Sequence, residues 1–99
     1  MAADALLSNA SADTVGAEIS LRIIGTQIPP IKMSIQVAIT GKARVQIQGR
    51  VHRQAPWADI GEPHERSCLV YIEPIWALRA VSSDTGPDSV VSVWAAWGI

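Results

Sequence analysis

Phenylalanine is absent from this 99-residue chain, and tyrosine and cysteine occur once each, the cysteine as Cys68. A single thiol excludes an internal disulfide and a multi-thiolate zinc site, so the fold must rest on packing. Charge is scarce as well. Eight Lys and Arg against nine Asp and Glu leave a formal net charge of −1, which supplies no basic field for a phosphate backbone, and nucleic acid is not expected as a partner. No apolar run approaches the roughly 20 residues of a membrane-spanning helix, and the first residues lack the basic and long apolar segments of a secretory signal. No membrane partner is expected. The seven glycines are scattered singly, so there is no phosphate-cradling loop, and no G-x-S-x-G turn is present to strain a nucleophile.

What remains is a chain that is 48% hydrophobic and patterned with a period of two. Ile19, Leu21 and Ile23 alternate with Ser20 and Arg22. After the Pro29-Pro30 interruption, Met33, Ile35, Val37 and Ile39 alternate with Ser34, Gln36, Ala38 and Thr40. The short Thr40-Gly41-Lys42 connection reads as a hairpin turn. The clearest strand follows, with Ala43, Val45, Ile47, Gly49 and Val51 on one side and Arg44, Gln46, Gln48 and Arg50 on the other. Residues 67–73 (SCLVYIE) form a short apolar run compatible with a strand buried on both faces or with imperfect alternation; residues 75–81 (IWALRAV) read as strand, and 89–97 (SVVSVWAAW) close the chain as another. No convincing helix of ten or more residues appears after residue 16.

Six to seven short strands separated by Gly, Pro and Asp turns predict an all-β domain, a single antiparallel β-sandwich or small barrel over residues 17–99. The core is expected from Ile19, Leu21, Ile23, Ile35, Val37, Ile39, Val45, Ile47, Val70, Ile72, Leu78, Val91 and Val93. Residues 1–16 are Ala- and Ser-rich and too poor in large apolar groups to fold alone. They either fray or, as we expect, form an extended N-terminal arm whose Leu6 and Leu7 lie on a neighbouring subunit.

Chemistry-bearing residues are sparse. His52, His64 and Cys68, near Asp59, Glu62 and Glu65, include metal-ligand types, but the tight pairs of a zinc site are missing. No catalytic, cofactor-binding or metal-ligating residue is assigned, and no enzyme is expected, because no acid, base and nucleophile converge. The tryptophans are more informative. Trp94 and Trp97 are three apart, so on a strand they face opposite sides and at least one leaves the core. Trp57, with Gln54 and Asp59 nearby, is the nearest approach to a sugar-stacking platform. Leu6, Leu7, Trp57, Trp94 and Trp97 are therefore the candidate partner-binding residues.

Four stretches, 43–51 (ARVQIQGRV), 55–60 (APWADI), 75–81 (IWALRAV) and 89–94 (SVVSVW), together resemble small β-sandwich virion proteins of tailed bacteriophages. The resemblance spans about the last 60 residues and follows a pattern of strand, V-x-G-R/S, W-x-x-I/L, polar loop, I/L-R-A/V-x-V and V-S-V-W/T. The His52-Arg53 segment and the residues after Trp94 depart from it. It implies a structural protein of the virion without cofactor, foremost a capsid decoration or cement protein. Such a protein is made in the host cytoplasm, binds the major capsid protein at the capsid surface and self-associates, with a homotrimer as the first expectation. A tail or head-to-tail component, or a carbohydrate-binding module for host attachment, are the alternatives.

Overall fold

Large apolar and polar residues alternate along 33–39 and 45–49, so an extended backbone separates them onto two faces, and each segment forms a strand. The structure, a computed structural model, describes residues 2–20, 32–72, 75 and 77–98. In chain order the strands are β1 (Ala2–Ala10), β2 (Thr14–Val15), β3 (Ile19–Ser20), β4 (Lys32–Thr40), β5 (Arg44–Arg50), β6 (Ala58–Asp59), β7 (Cys68–Ile72), β8 (Ala77–Ser83) and β9 (Val90–Gly98). Among the described residues there is no helix.

The strands form two antiparallel sheets. The first runs β1-β9-β4-β7; the second runs β2-β8-β5-β6, with β3 also on β8. Their facing sides make one core from Leu6, Leu7, Ile19, Met33, Ile35, Val37, Ala43, Val45, Ile47, Leu78, Ala80, Val91, Val93 and Ala95. Ile39, Val70 and Ile72 are partly buried against it. Every described member of the expected core is thus inside or at its margin, whereas Leu21 and Ile23 lie outside the described residues.

Two expectations are corrected. The first concerns residues 1–16, which are no arm: β1 pairs with β9 along its length, β2 pairs with β8, and Leu6 and Leu7 are buried in the chain's own core. The physical reason is a bulge. Ala5 pairs with Trp94 and Leu7 with Val93, so Leu6 is an extra residue against β9, and both leucines turn inward where a regular strand would expose one. The second concerns Thr40-Gly41-Lys42, which is not a hairpin. Strand β4 already has β7 and β9 on its two sides, so β5 joins the other sheet and the connection arches across the sandwich. Gly41 makes that turn at φ +86°, where a Cβ would also stand 2.6 Å from Ser89 Oγ.

Buried serines pin the cross-overs. Ser89 Oγ accepts the Lys42 N–H at 2.9 Å, joining the β4–β5 and β8–β9 connections. Ser82 Oγ accepts the Thr14 N–H at 2.9 Å and donates to the Ala12 carbonyl at 3.1 Å. Ser92 Oγ accepts the Asn9 N–H at 3.0 Å, beside the second irregularity of β1. Each satisfies a backbone donor that leaves the ladders.

Candidate interaction surface

The two outer faces of the sandwich differ in chemistry. On the second sheet, β5 presents Arg44, Gln46, Gln48 and Arg50, and β8 presents Arg79 opposite Gln48. These groups are wired together. Arg79 Nε donates to Gln48 Oε1 at 2.8 Å, and Gln48 Nε2 donates to Asp59 Oδ1 at 2.9 Å. Arg50 donates to Glu18 Oε1 at 2.7 Å and to the Arg53 carbonyl at 2.9 Å. Over this lattice sits Trp57, with the guanidinium carbons of Arg50 and Arg79 at 4.6 and 4.4 Å from its ring centroid. The ring's π-surface is therefore engaged by two cations, which makes Trp57 a cap on the β5–β8 ladder.

At one end of the molecule, Gly41, Lys42, Ala43, Arg44, Glu65 and Asp84 line a depression of about 430 Å³. Arg44 pairs with Glu65 at 3.0 Å and Asp84 at 3.5 Å, and the hydrogen bond with Glu65 raises the Arg44 pKa above its ordinary value. Two acids thus balance two cations, and no net field is left for an anion. Nearby, Asp13 accepts the Thr85 N–H at 3.0 Å, which lowers its carboxyl below the usual range.

The outer face of the first sheet is different. Its described side chains include Ser34, Gln36, Ala38 and Thr40 of β4, Leu69 and Tyr71 of β7, Val90, Ser92, Trp94 and Ala96 of β9, and Ala5 and Asn9 of β1. None of these carries a charge. Among the described residues, Leu69, Tyr71, Val90 and Trp94 are four of the six large apolar side chains left exposed, at 58%, 76%, 38% and 44%; the other two, Val15 and Val51, belong to the second sheet's edge and a loop. Register makes the arrangement regular. One row across the sheet is Ala5–Trp94–Gln36–Leu69, and the next contains Ala96–Ser34–Tyr71. Uncharged small and polar side chains thus separate large apolar ones among the described residues of this face, a composition close to that of the buried centre of a protein interface.

Of the expected partner-binding residues, Trp94 lies on this face. Trp57 is on the opposite side of the molecule, packed against Arg50 and Arg79, and Leu6 and Leu7 are core. Trp97 pairs in register with Met33 and Ala2, and its side chain lies outside the described set. The residues that sequence reasoning missed are Leu69 and Tyr71. The one signal that could have found them is the alternation of Cys68, Val70 and Ile72 inward with Leu69 and Tyr71 outward, which an all-apolar run conceals.

His64 serves the scaffold, its backbone bridging Val45 through two 2.8 Å hydrogen bonds, and His52 Nδ1 accepts the Gln54 N–H at 3.1 Å within a turn. Among the described residues, no three His, Cys, Asp or Glu side chains gather as a metal site. Comparison with protein-family models, with curated proteins and with solved structures finds no match to this chain.

Proposed function

We infer that this chain is a structural docking module of a virion, a capsid decoration or cement protein that lays the outer face of its first sheet on the head shell. One observation carries the reading: Leu69, Tyr71, Val90 and Trp94 share a face whose described side chains are all uncharged, while the Arg50–Arg79–Asp59 network lies on the other sheet. Aromatic enrichment and charge depletion are what distinguish the centre of a protein interface from ordinary surface. The four strands, spaced about 4.8 Å apart and rising about 3.4 Å per residue, give this face a footprint on the order of 500 Å², enough for one contact in a repeating lattice. The resemblance of the β-strand motifs to phage virion proteins, foremost capsid decoration proteins, supports a capsid partner. No chemistry is asked of the chain in this role, and the ion pairs on the second sheet keep that side wetted and outward.

Fractionation of purified particles tests the proposal. The chain should co-sediment with DNA-filled heads, and replacing both Trp94 and Tyr71 with Ser should release it while its β-sheet circular dichroism is unchanged. Recovery only with tails would replace this reading with a tail component. Absence from all particles would remove the virion role.

A further inference from the structure

Antiparallel sheets end in unpaired backbone donors and acceptors, and folded proteins blunt such edges by shortness, bulges or charge. Three of the edges described here are blunted. Strand β1 carries two register shifts and a positive φ at Asn9; β2 and β3 are two residues each and interrupted at Gly16. The outer side of β5 is covered by two-residue β6, by the Ile60 N–H bond to the Ile47 carbonyl and by the His64 bridge. Strand β7 is the exception. Its five residues pair with β4 in unbroken register from Val37↔Cys68 to Met33↔Ile72, its sequence CLVYI has no charge, proline or glycine, and no described strand lies on its far side.

We propose that β7 pairs with β7 of a second copy, antiparallel about a two-fold axis through Val70, joining two first sheets into one eight-stranded sheet. The occupant follows from self-complementarity. Faces match only if paired positions sum to an even number, and all five residues pair only when Val70 opposes Val70. Leu69 then opposes Tyr71 on the outer face at both ends, an aliphatic–aromatic cross-strand pair, and Cys68 opposes Ile72 on the core side. Charge agrees: in the sequence Arg66 precedes β7 and Glu73 follows it, so an antiparallel copy sets opposite signs together where a parallel one would set like signs. The area fits a reversible dimer. Five paired residues span about 17 Å and, with Leu69 and Tyr71, cover on the order of 400 Å² per copy, below the roughly 800 Å² per partner of a standard stable complex. The pairing also sets side by side two faces that carry Leu69, Tyr71, Val90 and Trp94.

The inference concerns the free protein and does not require the virion reading. Sedimentation velocity of the full chain without any other component, from about 10 µM to 1 mM, should show monomer passing to dimer. Leu69→Lys with Tyr71→Lys places like charges opposite each other and should weaken the dimer at least tenfold. Leu69→Lys with Tyr71→Glu places opposite charges there and should restore it, more strongly at low salt than at high salt. Circular dichroism of both variants matching the parent keeps the comparison to association. A chain monomeric throughout the range, a trimer, or a dimer equally stable in both double variants would overturn the proposal.

Discussion

Gly16 donates its backbone N–H to the Ala80 carbonyl at 2.8 Å, and the next amide, of Ala17, donates to the Leu6 carbonyl at 3.2 Å. The segment between β2 and β3 thus ties β8 of the second sheet to β1 of the first. A Cβ on Gly16 would collide with the Leu6 carbonyl oxygen and stand 2.9 Å from that of Ala80. Both obstacles are backbone, which cannot swing aside as a side-chain tip can. Gly16→Ala should therefore destabilise the domain by about 2–3 kcal/mol, in the range of overpacked sites, and chemical denaturation reads it as a lower midpoint at unchanged slope. A midpoint equal to the parent's would show that this close approach relaxes freely.

Leu6 and Leu7 were expected on a neighbour and are found in the core, each less than 5% exposed. Leu6→Ala should cost about 2–5 kcal/mol, the usual range for truncating a buried leucine. Removing residues 1–10 takes away an entire strand and uncovers β9, so the truncated chain should lose its cooperative unfolding transition. An arm would behave otherwise, leaving the β-sheet spectrum and the transition intact.

The difference between these residues and the rest shows what the sequence could disclose. Strands β4 and β5 were legible because each alternates large apolar with polar residues, and that period alone decides which side chains are inside. The pair Leu6-Leu7 breaks alternation, and only a bulge against β9 reconciles two adjacent leucines with one core. Gly41 was legible as a turn but not as an arch, because the sheet that β5 joins is decided by β7 and β9 occupying both sides of β4, partners 31–39 and 50–66 residues away in the chain. Trp94 could be foreseen from its spacing to Trp97. Leu69 and Tyr71 were hidden by an all-apolar run, whose outward members show only once β7 is paired with β4.

Trp57 sits against two guanidinium groups on a half-exposed surface. Each contact is worth about 0.5–1 kcal/mol at such a site, and the indole adds its own covered area, so Trp57→Ala should lower stability by about 2 kcal/mol. A double-mutant cycle between Trp57→Leu and Arg79→Met isolates the aromatic–cation component and should return a coupling of about 0.5–1 kcal/mol. Zero coupling would assign the whole loss to burial. Neither substitution lies on the first sheet, so under the proposed docking role attachment should survive both.

Asp13 connects the β1–β2 turn to the β8–β9 connection by accepting the Thr85 N–H, a bond that favours the ionised carboxylate and lowers its pKa from the ordinary 3.8. Protonation is then harder in the folded chain than in the unfolded one. The linked stability is fully present above the unfolded pKa and is lost as pH falls through the lowered folded value. Asp13→Asn keeps the shape but cannot ionise, so it should be less stable than the parent at pH 6, and the gap should close progressively below about pH 4. Full solvent exposure of Asp13 keeps the gap small and sensitive to salt. Urea midpoints for parent and variant across pH 2–6 give the comparison. A gap that stays constant or widens on acidification would mean that the bond to Thr85 does not discriminate between the two protonation states.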